Sequence, residues 1–226
     1  MLVLAHRGAR RVAPENTLDA FRAARRQGAD GFELDVHASA DGALVVHHDA
    51  DAPGVGPLAD RTLAEIRSVR PGVPTLADAL DVGAGLLVNV EIKDTSADLV
   101  VRLLRTRAGR DRVIVSSFDL ATIDRVRALA PALATGFLTA GLDPFEALAT
   151  AAERGHTAVH HDAWSLAGVR RDLVARAHAL GIHVNTWTVN EPDVVLGMAA
   201  AGVDGVVTDV PDVALRALGR EPAPPA

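Results

Sequence analysis

The sequence predicts an α/β protein of the (β/α)8 TIM-barrel class, built as a single domain. Three observations lead there. Apolar runs short enough to be buried strands alternate with amphipathic stretches of helical spacing. Eight such strand runs can be counted. Short polar motifs recur where the runs end, and barrel active sites sit at the C-terminal ends of the strands. An open doubly wound sheet is the competing architecture, but no Gly-x-Gly-x-x-Gly turn follows the first run, which weakens a dinucleotide-binding version.

The first strand is Leu2–Ala5, ended by His6-Arg7-Gly8. A helix is expected over Thr17–Gln27; Asn16, with Asp19 three residues on, is read as its N-cap with at least equal weight to a site role for Asn16 and Thr17. The second strand is Gly31–Val36. From about Asp49 to Pro74 the chain turns rich in Gly, Pro and Asp and loses the rhythm; an extended connection at the barrel mouth is expected there, not a separate domain. The remaining strands are expected at Leu86–Ile92, Arg112–Ser116, Ala134–Leu138, Thr157–His160, Ile182–Trp187 and Gly205–Thr208. Helices between them are expected at Ala97–Arg107, Ala121–Ala130, Pro144–Arg154, Val169–Leu180 and Asp193–Ala201, with Gly109, Gly155, Gly181 and Gly202 where they should stop. The barrel should span residues 1–220, leaving the Pro-rich Glu221–Ala226 as a frayed tail.

Composition narrows the function. A 226-residue chain that is 49% hydrophobic can bury a large core. No apolar run reaches the length of a membrane span, so stable membrane insertion is not expected. A formal charge of −6 argues against a nucleic-acid partner gripped by its phosphates. The start runs directly from Met1 through an apolar strand to His6, which reads against a signal peptide and for the cytoplasm. The absence of cysteine excludes disulfides, thiolate ligands and a thiol nucleophile. Lys93 is the only lysine among 23 basic residues, a hint that a compact ammonium is wanted at that position.

Side chains two apart on a strand share a face. Glu33 and Asp35 therefore lie opposite Phe32, Leu34 and Val36, and Asn89, Glu91 and Lys93 lie opposite Val88, Val90 and Ile92. The apolar sets should pack on the outer helices and the polar sets should face the barrel axis. Glu33, Asp35 and Glu91 would then form a hard oxygen site suited to Mg²⁺ or Ca²⁺, with Mn²⁺ as a further option. Their charges and those of Arg7 and Lys93 sum to −1; a divalent cation makes this +1, and a phosphodiester monoanion brings it to zero. The alternative is an internal ion-pair network, which gains nothing from clustering at strand ends. His6 closes the first strand beside this cluster, and His47 and His48 point to opposite sides, so only one of them can face it. Neutral imidazole can take a proton near pH 7 and imidazolium can return one. Trp187 should face inward, either walling the pocket or packing in the core. His37, His156, His160, His161, His178 and His183 are read as structural.

The ordered set His6-Arg7-Gly8, Pro14-Glu15-Asn16-Thr17, Gly28-Ala29-Asp30-Gly31, Glu33-Leu34-Asp35-Val36 and His48-Asp49 resembles the glycerophosphodiester phosphodiesterase family. Val73-Pro74-Thr75-Leu76, Glu91-Ile92-Lys93, Ser117-Phe118, Trp187-Thr188-Val189-Asn190 and Thr208-Asp209 continue the likeness in order. The resemblance implies a phosphodiesterase-type barrel with one divalent cation on Glu33, Asp35 and Glu91. It implies His6 and His48 as the acid–base pair, Arg7 and Lys93 on the phosphate, and Glu15 in the surrounding polar shell. The implied substrate is a small-molecule glycerophosphodiester, cleaved to glycerol 3-phosphate and an alcohol. After Asp49 the family's usual Leu-x-Arg-Thr-type segment is replaced by Asp51-Ala52-Pro53-Gly54-Val55-Gly56, and the insertion that often follows is short, which bears on the leaving group.

Three other readings compete. An amidohydrolase-type metal barrel wants His-x-His at the first strand, where this chain has one histidine. A barrel that binds phosphodiesters without cleaving them sits poorly with the intact His6, His48, Glu33, Asp35, Glu91 and Lys93. Lysophospholipase D-type cleavage of lysophospholipids would need an apolar site, and no apolar surface stretch stands out in the sequence.

Overall fold

The computed structural model describes residues 1–107, 109, 112–166 and 171–221. Eight parallel strands close into a barrel: β1 (Leu2–Ala5), β2 (Gly31–Ala38), β6 (Leu87–Ile92), β7 (Val113–Ser117), β8 (Ala134–Thr139), β9 (Ala158–Asp162), β10 (His183–Trp187) and β11 (Gly205–Thr208). Each pairs with its neighbours, and the ring closes through β1 against both β2 and β11. Between β2 and β6 lie β3 (Leu44–Val46), antiparallel to β2, and the two-residue strands β4 (Asp51–Ala52) and β5 (Gly56–Pro57), which pair with each other.

The outer layer consists of α1 (Leu18–Arg26), α3 (Leu76–Val82), α4 (Ala97–Arg105), α5 (Leu120–Leu129), α6 (Pro144–Arg154), α7 (Arg171–Ala179), α8 (Pro192–Ala201) and α9 (Pro211–Ala217), with α2 (Leu63–Val69) in the β2–β6 connection. None of these helices is long and apolar enough to cross a membrane. The strand alternation works as the sequence implies. Phe32, Leu34, Val36, Val88, Val90 and Ile92 are buried in one cluster with Phe21, Val100 and Leu104 from the surrounding helices. A second cluster of the same kind joins β1, β9, β10 and β11 to α6–α9.

The long connection departs from a purely extended segment. Thr62 with Glu65 and Thr75 with Asp78 form capping boxes that start α2 and α3, each threonine accepting from a backbone N–H while the acid returns the bond. Val45, Ala52, Val55, Leu58, Ile66 and Val73 make a small core of their own beneath it. Folded in this way, the connection brings His48 to the mouth from outside the ring of parallel strands. At the other ends of the chain, α7 is described from Arg171, and residues 222–226 of the expected tail lie outside the described residues, as do 169–170 at the expected helix start.

Packing is tight where β2 meets β6. A Cβ added to Gly31 would lie 1.9 Å from the Leu87 carbonyl oxygen and 2.8 Å from Leu4 Cδ2. Gly197, in α8, has nothing among the described residues beyond its own helix backbone within 4 Å of such a carbon. Gly31→Ala should cost on the order of 3 kcal/mol in urea unfolding, because backbone must move. Gly197→Ala should stabilise by about 0.5–1 kcal/mol, because alanine loses less chain entropy in a helix. Equal effects of the two substitutions would contradict this packing.

Candidate active site

The register of β2 on β6 builds the acidic centre. Glu33 pairs with Asn89 and Asp35 with Glu91, so the polar faces of the two strands lie side by side under the mouth. Ligand oxygens of Glu33, Asp35 and Glu91 come within 4.8 Å of one another, and all three residues are buried. The two expected cations meet them there. Lys93 Nζ lies 2.6 Å from Glu91 and 3.2 Å from Asp35, and Arg7 Nε lies 3.3 Å from Asp35.

Electrostatics show what this crowding does. Burial, together with the charges of Asp35 and Glu91, pushes the Glu33 carboxyl well above the usual carboxylate range. Burial, only partly opposed by Lys93 and reinforced by Asp35, pushes Glu91 up to about 7. Burial works against Lys93 as well, but Asp35 and Glu91 prevail and raise its pKa. With only two cations among three buried acids, the cluster lacks positive charge.

The histidines arrive from opposite sides. His6 follows β1, and its Nδ1 lies 2.7 Å from Asp209, just after β11, leaving Nε2 as the nitrogen free to act. Asn190 fixes that carboxylate: its amide donates to Asp209 Oδ2 at 3.0 Å and its carbonyl oxygen accepts from the Asp209 backbone at 2.9 Å. Burial would raise the Asp209 pKa, but the bonds from His6 and Asn190 prevail and hold it down to about 2. His48 Nδ1 is 2.7 Å from the exposed carboxylate of Asp49. A cavity of about 200 Å³ on the barrel axis is lined by His6, Arg7, Glu33, His48, Glu91 and Lys93, with Asn89, Phe118, Leu138, His160, Trp187 and Val207 completing its walls. His47 is not among them; it lines a separate groove. The structure thus brings together His6, His48, Arg7, Lys93, Trp187, Glu33 and Glu91 around one space, with Asp35 buried beside it.

The loop after β1 is shaped to hold Arg7. Arg7 and Asn16 both adopt left-handed backbone, with φ of 53° and 56°. Gly8 serves close packing, since a Cβ there would sit 2.7 Å from the Ala20 backbone of α1. The Arg7 amide donates to Glu33 Oε2 at 3.0 Å and its guanidinium to Glu15 at 2.8 Å, while Arg10 holds the other Glu15 oxygen at 2.6 Å. Glu15 therefore stands one contact away from the acidic centre.

Asn16 corrects an expectation. The N-cap of α1 is Thr17, whose hydroxyl accepts from Ala20 N. Asn16 is buried, and its amide donates to Asp35 Oδ2 at 2.8 Å while its carbonyl oxygen accepts from Asp35 N. Left-handed backbone takes it out of capping geometry and turns it towards the barrel. Trp187 walls the cavity, edge-on to Phe118 at 5.5 Å, with its indole N–H donating to the His160 carbonyl. His156, His161, His178 and His183 are paired with Thr135 and Asp124, Thr139, and Asp204, as befits structural roles. His37 bonds the His48 carbonyl, which places it behind the site. Asp209, Asn190 and Phe118 carry site geometry that the sequence motifs alone assign no role; their motifs stood in the sequence, but not their partners.

A divalent cation fits this donor set. Three carboxylates converge, Glu33 Oε1 and the Asn89 amide oxygen are buried without a hydrogen-bond partner among the described residues, and the acids are short of positive charge. Hard oxygen donors with these needs match Mg²⁺, Ca²⁺ or Mn²⁺.

A model of the glycerophosphoryl diester phosphodiesterase family matches residues 6–213. A glycerophosphodiester phosphodiesterase of Caldanaerobacter subterraneus subsp. tengcongensis is 34% identical over 239 residues, covering 93% of this chain and 95% of the relative. Among solved structures, the glycerophosphodiester phosphodiesterase of Thermotoga maritima superposes with a TM-score of 0.83 at 29% identity, covering 97% of this chain and 98% of that one. A phosphodiesterase of Oleispira antarctica, solved in complex with the product sn-glycerol-3-phosphate, superposes with a TM-score of 0.85 at 25% identity, covering 97% of each chain.

The raised carboxyl has a measurable consequence. The folded-state pKa of Glu91, about 7, lies above its ordinary value of 4.5, so its contribution to stability is complete below the lower value and lost as pH rises through the higher. His160 and His161, held by burial to about 3 and about 4, give the opposite slope at lower pH. Glu91→Gln removes the first effect and leaves the second. In EDTA, the stability of wild type relative to Glu91→Gln should fall by about 2–3 kcal/mol between about pH 5 and pH 8, at ~1.4 kcal/mol per pKa unit. Added Mg²⁺ or Ca²⁺ should raise the wild-type Tm more at the higher pH, because cation and proton compete. Parallel pH curves for the two proteins would show that Glu91 ionises normally.

Proposed function

The chain belongs to the glycerophosphoryl diester phosphodiesterase family, and from that premise we propose that it is a phosphoric diester hydrolase that cleaves glycerophosphodiesters to glycerol 3-phosphate and an alcohol. The observation that carries the reading is the meeting of two carboxylate-partnered histidines, two cations and two buried acids around one axial cavity, with the third acid, Asp35, buried beside it. The product bound to the Oleispira relative supports the same chemistry.

In this proposal Glu33, Asp35 and Glu91 hold one divalent cation. When bound, it supplies Lewis-acid polarisation of a phosphate oxygen and the positive charge that the acids lack. Arg7 and Lys93 face the phosphate and offset the charge that builds on its oxygens in the transition state. One histidine takes the proton of the nucleophile, which is water, or the neighbouring glycerol hydroxyl in a first step whose cyclic phosphate is then opened by water to glycerol 3-phosphate. As the new P–O bond forms and the bond to the alcohol breaks, the other histidine returns a proton to the departing alkoxide. Asp209, anionic and half-buried, orients His6 and stabilises its imidazolium; Asp49 does the same for His48 from the solvent side. Trp187 and Phe118 wall the space in which the diester sits, and Glu15 keeps the Arg7 guanidinium in place.

One observation favours a second substrate class. An apolar groove of about 660 Å³, walled by Trp164, Leu166, Val194 and Met198, begins at Thr188 and Asn190 beside Trp187. Trp164 is 89% exposed there. An acyl chain would fit such a groove, which is the feature a lysophospholipid substrate requires.

The direct test is release of glycerol 3-phosphate from glycerophosphocholine and glycerophosphoethanolamine, and of choline with lysophosphatidic acid from lysophosphatidylcholine, in EDTA and with Mg²⁺, Ca²⁺ or Mn²⁺ restored. Cation-dependent release from the water-soluble diesters is expected; turnover of lysophosphatidylcholine alone would move the second reading to the front. His6→Ala and His48→Ala should each lower kcat/KM by ~10²–10⁴-fold. The double variant should be no worse than the poorer single one, because the pair acts as a unit. His47→Ala should lose far less, and the reverse ranking of His47 and His48 would overturn the acid–base assignment.

A further inference from the structure

Beside the axial cavity lies a second groove, of about 480 Å³, which shares His48 with it and is walled by Pro14, Thr17, Pro53, Arg70 and Pro74. The charged groups on this groove are almost all matched. Glu15 is held by Arg7 at 2.8 Å and Arg10 at 2.6 Å, and Asp49 by His48 at 2.7 Å. His47 engages the Asp49 backbone through Nδ1. Arg70 differs: among the described residues no carboxylate pairs with its guanidinium, and its Nε is buried without a hydrogen-bond partner. An unpartnered buried N–H is costly, and cores rarely tolerate one without a function.

The position of Arg70 is fixed from behind. It ends α2, its backbone N–H bonding the Ile66 carbonyl at 2.8 Å, and Ile66 and Val73 anchor that turn in the small core of the connection. The prolines on the groove restrict the backbone further. A guanidinium carried on a fixed backbone, with donors unpaired among the described residues, matches a carboxylate or phosphate, which it can grip through two parallel N–H bonds.

We propose that this groove is the subsite for the alcohol half of the diester, and that Arg70 selects alcohols bearing an anionic group, a carboxylate or a second phosphate. The inference rests on the phosphodiesterase reading of the adjoining cavity. It gives a role to the connection between β2 and β6, the part of the chain that departs from the family pattern. The shared His48 is the acid–base group nearest the groove, so an alcohol seated against Arg70 would leave from beside an imidazole.

Glycerophosphoserine and glycerophosphoethanolamine differ by one carboxylate and so isolate the interaction. The wild-type ratio of kcat/KM, serine diester over ethanolamine diester, should fall about tenfold in Arg70→Gln, the size expected for one charge-assisted contact at a partly exposed site. The change should lie mainly in KM, and Arg70→Lys should restore part of it. Circular dichroism and Tm of both variants exclude misfolding. An unchanged ratio in folded Arg70→Gln would overturn the subsite while leaving the phosphodiesterase reading intact. Should the wild type turn over neither diester, calorimetric Kd values for the two, in EDTA, still decide the matter: tighter binding of the serine diester that is lost in Arg70→Gln supports the subsite, and equal binding overturns it.

Discussion

The parallel register that sets Asp35 beside Glu91 and Glu33 beside Asn89 is the constraint on which the site depends. It gathers three carboxylates where water is scarce, and the rest of the mouth answers that charge. Lys93 reaches back to two of them, and Arg7 is held in left-handed backbone so that its amide meets Glu33 and its guanidinium meets Asp35. Asn16, also left-handed, binds both the side chain and the backbone of Asp35. These responses are incomplete, since the carboxyls of Glu33 and Glu91 still sit above the normal range. A divalent cation and a phosphodiester would complete the balance, which is why geometry and charge lead to the same chemistry.

Barrel closure does for His6 what register does for the acids. Ala5 pairs with Thr208 across β1 and β11, and the His6 amide donates to the Thr208 carbonyl at 2.8 Å. That seam brings Asp209 to His6 across nearly the whole chain. The seam is tied at its other end as well: Asp30 takes the Val3 amide and both Nη groups of Arg220, each at 2.8 Å. The geometry of His6, proposed as one of the acid–base pair, is thus a property of the closed barrel, whereas that of His48 belongs to a local pair with Asp49 on a connection with its own small core.

The barrel was legible in the sequence because parallel strands carry their partition openly. In β2 and β6 every second residue is apolar and packs outward, and the polar remainder could face only the axis. The site acids and Lys93 followed from that rule. The connection after β2 was less legible because its structure is held by side-chain caps and not by hydrophobic period. The Thr62–Glu65 and Thr75–Asp78 boxes were present as signals for α2 and α3, though Gly and Pro around them read as loop. Asn16 misled for a different reason: Asn and Thr both cap helices, and only the left-handed turn assigns the cap to Thr17. Asp209, Asn190 and Arg70 act through contacts, or through a lack of them, that no local pattern encodes.

The central claim is that the acids exist to hold a cation against a phosphate, and crystallography of the protein grown with Mn²⁺ and glycerol 3-phosphate tests it most directly. An anomalous manganese peak is expected between Glu33, Asp35 and Glu91, with the phosphate in contact with Arg7 and Lys93 and within reach of His6 and His48. Manganese bound elsewhere, with Arg7 and Lys93 still paired to the three acids and the phosphate outside the axial cavity, would contradict it and leave the cluster as an internal ion-pair network.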